Sequence, residues 1–296
     1  MKSASRMLLV SGLAAATSLL GLSAATAATH NDRHQHHTPT VCSGASWTSP
    51  GTLGSGTYYG LEVSGICLVQ AGADITIKGD VTIDTAASLV AINSQTMEID
   101  GDISVGRAAI LGLGCTAGLG CDGTNNNPPS ADTVYGDITA RGALAMYLNG
   151  DTVHGDVKFR WGGWGPMCTD PNADSPTDPL GHDLVLKDNT FRGEVDLTGW
   201  SGCWLGFVRN TVHGDVTIAN NYANPANVIT DENPPENQGL DSTEVVANTI
   251  SGDLNCFANT PAAQFGDALQ GQPAGYGPNV VNGKARGECA SLLALP

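Results

Sequence analysis

The stretch TVHGDV occurs at residues 152–157 and again at 211–216, and each copy places a histidine two residues before an aspartate. Imidazole and carboxylate groups move protons in many enzymes and bind metal ions. Related segments also place an acid directly after a glycine, at Asp80, Asp102, Asp137, Asp156, Glu194, Asp215 and Asp253. The first question is whether these residues form a site or belong to a structural repeat.

The segments share the pattern [ND]-T-[VIF]-x-G-[DE]-[VIL], with close copies that start at Asp132, Asp151, Asn189, Asn210 and Asn248. A looser copy starts at Asn279, and IKGDVTI and IDGDISV precede the series. The repeat glycines lie at positions 79, 101, 136, 155, 193, 214, 252 and 283. Units of about twenty residues, with β-branched residues alternating with polar ones, predict the coils of a parallel β-solenoid.

Alternation within a coil predicts that Val153 and Val157 point inward and that His154 and Asp156 point outward. Equivalent residues of adjacent coils, about 4.8 Å apart, should stack into columns. One predicted column contains Tyr135, His154, Arg192, His213 and Ser251. The two histidines are then about 10 Å apart with Arg192 between them, too far to share a metal ion.

The acids form the neighbouring column. Stacked carboxylates beside Arg192 and His154 would suit calcium-assisted β-elimination or glycoside hydrolysis, with Asp156, Glu194 and Asp215 as carboxylates or calcium ligands. The alternative is a solvated polar face with side chains spread into water, which the presence of an acid in every coil favours.

Three inserts lengthen alternate coils, near residues 113–132, 161–182 and 220–241, and loops of this kind often carry function. The aromatic residues at or after the last two inserts could stack against sugar rings, or could pack beneath their own loops. These aromatic residues are Trp161, Trp164, Trp200, Trp204 and Tyr222. With His154 and His213 they are the candidate substrate-binding residues.

Two segments suggest metal sites. Asp170, Asn172 and Asp174 have the spacing of a calcium loop, although Ser175 and Gly181 replace the glycine and the glutamate that an EF-hand requires. A looser calcium site could also draw on the third insert, through Asp231, Glu232 and Glu236. If the mature chain starts at Ala28, its amine, two amides and His30 form a nitrogen set suited to copper or nickel. The alternative is a flexible leader that contains histidines.

Residues 1–27 resemble a signal peptide, with Lys2 and Arg6 before an apolar run and an A-x-A site at its end. We therefore predict a secreted protein with a leader over 28–41 and a β-helix domain over 42–296, capped at one end by residues 42–71. Removal of the signal segment takes the net charge from −16 to −18, because it contains two cations and no acid. Such a charge argues against nucleic-acid partners, and no later apolar run predicts membrane insertion.

All eight cysteines follow the signal segment and none forms a C-x-x-C pair, which favours disulfides over a zinc or redox site. The sequence does not fix their connectivity. Closure between nearest neighbours predicts the pairs Cys42–Cys67, Cys115–Cys121, Cys168–Cys203 and Cys256–Cys289.

The repeat units resemble the coils of right-handed parallel β-helix proteins, the architecture of pectate lyases. Several stretches are more closely similar to a group of secreted actinobacterial β-helix proteins: GTYYGLEVSGICLV, SGCWLGFVRNTVHGDVTIANN, ISGDLNCFANTPAAQFGD and a final Gly-Lys…Gly-x-Cys. That group often has asparagine where this chain has aspartate after the repeat glycine. The resemblance implies an all-β, single-domain right-handed parallel β-helix of about eight to ten coils and implies no particular activity.

Two functions remain open at this stage. The first is a non-enzymatic extracellular or wall-associated protein that binds glycan through its outward columns and tryptophans. The second is a polysaccharide lyase or hydrolase with a cleft beside the inserts, in which Arg192 stabilises charge or acts as the base. Calcium is the cofactor that either hypothesis would admit.

Overall fold

The computed structural model describes residues 38–116, 129–163, 183–202, 204–223, 243–265 and 277–293. These residues form a right-handed parallel β-helix, so the predicted fold is confirmed. Each coil passes through three sheets, which we number 1 to 3 in the order that follows the repeat Gly-Asp pair. The strands of adjacent coils pair in parallel in all three sheets. The ten strands of sheet 1 agree with the predicted eight to ten coils.

The strands, numbered in chain order, have the following bounds. Sheet 1 contains β1 (Thr40–Cys42), β4 (Leu61–Val63), β7 (Val81–Ile83), β10 (Ile103–Val105), β13 (Ile138–Arg141), β16 (Val157–Arg160), β19 (Val195–Thr198), β23 (Val216–Ala219), β27 (Leu254–Phe257) and β29 (Ala285–Gly287). Sheet 2 contains β2 (Gly51–Leu53), β5 (Ile66–Val69), β8 (Ser88–Ala91), β11 (Ile110–Leu113), β14 (Ala145–Asn149), β17 (Leu184–Lys187), β21 (Leu205–Val208) and β25 (Thr243–Val246). Sheet 3 contains β3 (Gly56–Tyr58), β6 (Asp74–Ile77), β9 (Thr96–Ile99), β12 (Thr133–Val134), β15 (Thr152–Val153), β18 (Thr190–Phe191), β22 (Thr211–Val212), β26 (Thr249–Ile250) and β28 (Val280–Val281). A two-stranded sheet joins β20 (Ser201–Gly202) to β24 (Tyr222–Ala223), and a 3-10 helix spans Glu288–Ser291.

The sequence repeat corresponds to one side and two corners of a coil. The Asn or Asp of the pattern lies at the corner between sheets 2 and 3, the Thr-Val pair is the strand of sheet 3, and Gly-Asp forms the corner between sheets 3 and 1. We call these the 2–3 corner and the 3–1 corner, and the remaining one the 1–2 corner. The first strand begins at Thr40, two residues before the predicted domain start. Residues 40–69 contribute strands to all three sheets, so they form the first coils and not a separate cap.

The interior is a stack of aliphatic and aromatic side chains in register. Val153 pairs with Phe191, which pairs with Val212, and all three are fully buried. Val157 is buried in the same way, while His154 and Asp156 reach the surface. The predicted alternation is therefore confirmed. Because every coil buries the same positions, the core is continuous along the solenoid.

A ladder of buried side-chain amides fastens the 2–3 corner. The backbone N–H of each member donates to the Oδ1 of the member in the next coil, from Asn189 to Asn210 (3.0 Å), Asn210 to Asn248 (2.9 Å) and Asn248 to Asn279 (3.1 Å). The amide nitrogens donate to main-chain carbonyls, for example Asn189 Nδ2 to Leu148 O at 2.7 Å. Each side chain thereby satisfies backbone groups that the corner removes from the sheets.

The first two members of this ladder are acids. Asp132 and Asp151 are each 1% exposed, and Asp132 N–H donates to Asp151 Oδ1 at 2.9 Å. The carboxylate of Asp132 accepts the backbone N–H groups of Met97 (2.8 Å) and Gly114 (3.0 Å). Burial raises the pKa of Asp132 to about 6. Burial, and next the negative charge of Asp132, raise the pKa of Asp151 well above its ordinary range.

Two of the predicted disulfides are confirmed. Cys42–Cys67 links β1 to β5, and Cys256–Cys289 links β27 to the 3-10 helix, so one bond closes each end of the described solenoid. Cys115 is also disulfide-bonded. The predicted pairs 115–121 and 168–203 involve residues outside the described ranges. No helix in the described part of the chain is long and apolar enough to cross a membrane.

Candidate functional site

The acids of the 3–1 corner form a second ladder. Each aspartate accepts, at Oδ1, the backbone N–H of the residue at the same position in the next coil. These bonds run from Asp102 to Asp80 (3.0 Å), Asp137 to Asp102 (2.8 Å), Asp156 to Asp137 (2.8 Å), Glu194 to Asp156 (2.9 Å), Asp253 to Asp215 (2.7 Å) and Lys284 to Asp253 (2.7 Å). A carboxylate that accepts a turn N–H stabilises the turn. The repeated acid therefore has a structural function.

The glycine before each acid belongs to the same arrangement. A Cβ atom added at Gly155 would lie 2.3 Å from Asp137 Oδ1 and 2.4 Å from Gly136 O. These distances are far inside van der Waals contact, so the coils can stack at this corner only if the residue is glycine. The Gly-Asp pair that suggested catalysis is explained by the stacking of coils.

Glu194 is the exception in the ladder. Among the described residues, its carboxylate accepts no hydrogen bond from the coil that follows, where Asp215 occupies the equivalent position. Its side chain is exposed, next to the exposed Arg192. Of the predicted catalytic carboxylates, Glu194 is thus the one without a structural bond, whereas Asp156 and Asp215 each hold a backbone N–H.

Asp156 also forms an ion pair within its own coil. Lys158 Nζ lies 2.7 Å from Asp156 Oδ2. This hydrogen bond, and next the N–H of Glu194, lower the pKa of Asp156, so the group is ionised over the physiological range. A group in this state does not serve as a general acid.

We expect Asp156→Ala to destabilise the protein by about 0.5–1.5 kcal/mol, because the N–H of Glu194 loses its acceptor. Asp156→Asn keeps Oδ1 and should remain close to the wild type in stability. Chemical denaturation of the two variants with their disulfides intact measures the difference. Equal stability of Asp156→Ala and the wild type would contradict a structural function for the ladder.

The predicted outward column of aromatic and basic residues is present next to the acids. Arg192 lies between His154 and His213, one coil from each. The rings of Tyr135 and His154 are 4.8 Å apart between centroids, and Lys78 pairs with Asp100 at 3.1 Å at the N-terminal end of the column. Within the part of the chain that the structure describes, no group of three or more His, Cys, Asp or Glu residues could hold a metal ion.

The tryptophans have different environments. Trp161 is 66% exposed, whereas Trp200 is fully buried in the core, so its ring presents no face to a ligand and the packing alternative applies to it. Trp204 is half-buried on the outside of sheet 2, where its Nε1 donates to Glu244 Oε2 at 3.0 Å and its ring covers Gly206. Trp161 and Tyr222 remain available at the surface.

Exposed aromatic and basic side chains lie together along the 1–2 corner. We call this set the corner strip, and it comprises Arg107, Arg141, Arg160, Trp161, Tyr222 and Phe257. It follows the solenoid axis over five coil steps from β10 to β27, a length of about 24 Å. Tyr222 is 41% and Phe257 is 45% exposed. A strip of this length can contact several units of a linear polymer.

Sequence reasoning missed the arginines and Phe257. Their signal is positional: Arg141 and Arg160 each follow a repeat glycine by five residues, and Arg107 follows Gly101 by six. Register confirms that Arg141 and Arg160 are direct partners on adjacent strands.

Several predicted site residues fall outside the described ranges, and their roles stay predictions. They are Trp164, His30, the calcium candidates Asp170, Asn172 and Asp174, the acids Asp231, Glu232 and Glu236, and Cys121, Cys168 and Cys203.

No protein-family model matches the chain, and no curated protein or solved structure shows significant similarity to it.

Proposed function

We propose that the protein is an exported, non-enzymatic β-helix that binds polysaccharide along the corner strip. The observation that supports this proposal is the presence of three exposed aromatic rings, Trp161, Tyr222 and Phe257, on the 1–2 corner within four consecutive coils. An aromatic face that is exposed to water can bury its apolar surface against a sugar ring, and the core need not rearrange for this contact. On the neighbouring face Asp137, Asp156 and Asp215 accept backbone N–H groups of the next coil, which supports a structural role for these acids.

Export is supported by the disulfides and by the apolar N-terminal segment. Disulfides persist in oxidising compartments, and Cys42–Cys67 and Cys256–Cys289 close the two ends of the described fold. The likeness of the repeat units to secreted actinobacterial β-helix proteins points in the same direction. Attachment to the cell wall would follow from binding to a wall polysaccharide. Mass spectrometry of the protein recovered from culture medium tests export and defines the mature N-terminus.

The test of binding is affinity electrophoresis of the mature protein in gels that contain pectate, alginate, peptidoglycan fragments, soluble chitin, cellulose derivatives or xylan. We expect retardation by at least one polymer. The triple variant Trp161→Ala, Tyr222→Ala, Phe257→Ala should lose roughly 10-fold or more in affinity, because each stacked ring contributes about 0.5–1.5 kcal/mol.

A matched control is Tyr59→Ala, which removes an exposed ring, 54% accessible, that is not part of the corner strip. This variant should bind as the wild type does. Equal binding by the triple variant and the wild type would exclude the corner strip as the binding surface. Retardation by none of the polymers would contradict the proposed function.

An enzymatic function is the second candidate, and one observation favours it: Glu194 and Arg192 are exposed together, with no ladder bond to the carboxylate. In that function Glu194 or Arg192 would remove a proton from bound polysaccharide, and the acids predicted in the inserts would bind calcium from solution. The same polymers are therefore assayed for reducing ends and for absorbance near 235 nm, with and without calcium. Products that disappear in Glu194→Gln would replace the binding proposal by this one.

A further inference from the structure

We infer that the polymer on the corner strip is acidic, and that Arg141 is the residue that selects its negative charge. This inference rests on the proposed function and adds the chemical class of the ligand. It comes from a comparison of two arginines at the same position in adjacent coils.

Arg160 is neutralised within the protein. Its guanidinium contacts Asp196 Oδ2 through Nε at 3.1 Å and through Nη2 at 2.5 Å. Asp196 is the direct register partner of Lys158, which lies two residues before Arg160. The acid that pairs with Arg160 is therefore in the next coil, at the position equivalent to Lys158.

The same relation places a cation beside Arg141. Thr139 lies two residues before Arg141, and its register partner one coil onward is Lys158. A lysine thus occupies the position from which Asp196 neutralises Arg160. Within the described residues Arg141 forms no hydrogen bond or ion pair, and its side chain is exposed. The described part of the fold thus provides no counterpart for the charge of Arg141.

The residues around Arg141 are the following. The aliphatic part of Arg107 packs beside Gly142, since a Cβ added there would lie 3.3 Å from Arg107 Cγ. Lys158 is ion-paired with Asp156 at 2.7 Å and therefore offers Arg141 no negative charge. On the other side, the Trp161 ring lies against Gly199, where an added Cβ would be 2.6 Å from the ring atom Cε3. Arg141 is the register partner of Arg160, the residue before Trp161, so a guanidinium and an indole lie on adjacent coils of the corner strip.

An acidic polysaccharide satisfies both groups at once. A planar guanidinium pairs with a carboxylate, sulfate or phosphate through two N–H groups, and the indole covers the apolar face of a sugar. The protein has a net charge of −16 over its full length, which repels polyanions at long range. At about 0.15 M salt the screening length is roughly 8 Å, so the local charge of Arg141 dominates over distant acids.

The experiment compares polymers that differ only in charge: polygalacturonate with its fully methyl-esterified form, and dextran sulfate with dextran. Dissociation constants of the mature protein are measured at 0.15 M salt without calcium. We expect the wild type to bind an acidic member at least 10-fold more tightly than its neutral counterpart. The two pairs distinguish a carboxylate from a sulfate as the recognised group.

Arg141→Gln should lower the affinity for the acidic polymer by about 5- to 10-fold, which removes most of the preference. The affinity for the neutral polymers should stay unchanged. Arg141→Lys should retain part of the preference, and Lys284→Gln, which changes an exposed lysine on the 3–1 corner of the last coil, should retain all of it. Trp161→Ala should weaken binding to both members of each pair. These differences separate charge selection from general binding.

Equal binding of acidic and neutral polymers, or an unchanged preference in Arg141→Gln, would overturn the inference and leave the proposed function in place. Binding to no polymer by the wild type would overturn both. Circular dichroism of each variant verifies that the fold is intact, as expected for exposed side chains.

Discussion

Gly252→Ala should unfold at a clearly lower temperature than the wild type. A Cβ atom at this position would lie 2.2 Å from Asp215 Oδ1 and 2.6 Å from the carbonyl oxygen of Gly214. One neighbour is main chain and the other is a carboxylate held by the N–H of Asp253, so neither can move without separating two coils. Overpacking of this kind costs about 1–3 kcal/mol, and we expect the upper end.

Thermal unfolding followed by circular dichroism, with the disulfides intact, measures this cost. Each kcal/mol lowers the melting temperature by about 2–4 °C in a domain of this size. The matched control is Gly277→Ala, where an added Cβ would have no neighbour within 4 Å. Melting of Gly252→Ala at the temperature of Gly277→Ala would contradict our explanation of the repeat glycine.

The repeat made the fold predictable because every coil imposes the same demands. An inward valine, a glycine at the 3–1 corner and an amide at the 2–3 corner recur at fixed intervals, so aligning the glycines also aligned the core. The alignment placed Val153, Phe191 and Val212 in one column, and the structure pairs them so. Contacts between coils are local in space and periodic in sequence, which is why the pattern is sufficient.

The repeat did not predict which tryptophans are exposed and which are buried. Trp161 and Trp200 occupy adjacent register positions at the 1–2 corner, since Trp161 is equivalent to Gly199 and Gly162 is equivalent to Trp200. Both Trp161 and Gly199 adopt positive φ angles, of 56° and 75°, at the turn itself. The next position points inward, and a side chain there is buried. A shift of one residue therefore decides whether the side chain is exposed or buried. The in-and-out alternation of a strand does not predict this, because it does not continue around a turn.

The acidic ladder was also out of reach of sequence reasoning, which considered only solvated acids or a catalytic site. Its bonds join a side chain to the main chain of another coil, so they depend on the distance between coils and the direction of each N–H group. All three corners are held by ladders, since Trp200 N–H donates to Asn221 Oδ1 and Asn221 N–H donates to Asn259 Oδ1 at the 1–2 corner. The outward residues Arg141, Arg160 and Trp161 belong to none of these ladders and can differ between coils.

The buried acids at the 2–3 corner should make stability depend on pH in a direction that is unusual for carboxylates. In the unfolded chain Asp132 releases its proton near 3.8, while burial raises its pKa in the folded protein to about 6. Between these values the folded state binds more protons than the unfolded state. The free energy of unfolding therefore falls as the pH rises from about 4 to above 6, by roughly 3 kcal/mol for Asp132 alone.

Asp151→Asn should flatten this decline. The substitution removes the second buried acid, whose pKa is also raised, and it keeps Oδ1 as the acceptor for the N–H of Asp132. It also converts Asp151 to the residue found at Asn189, Asn210 and Asn248 in the same ladder. The measurement is urea denaturation at intervals between pH 4.5 and 7.5. This window excludes the acids with lowered pKa, Asp156 and Asp253, whose stabilisation is lost only as the pH falls below about 4.

The reverse change, Asn189→Asp, places a third acid next to Asp151 and removes the hydrogen bond from Nδ2 to Leu148 O. The slope of stability against pH should then become steeper than in the wild type. If that variant does not fold, Asp151→Asn alone decides the matter, because its effect is read from the slope and not from absolute stability. An unchanged slope in Asp151→Asn would contradict a raised pKa of Asp151 in the folded protein. A flatter slope would establish that these acids oppose folding at neutral pH, where the asparagines of the same ladder only stabilise it.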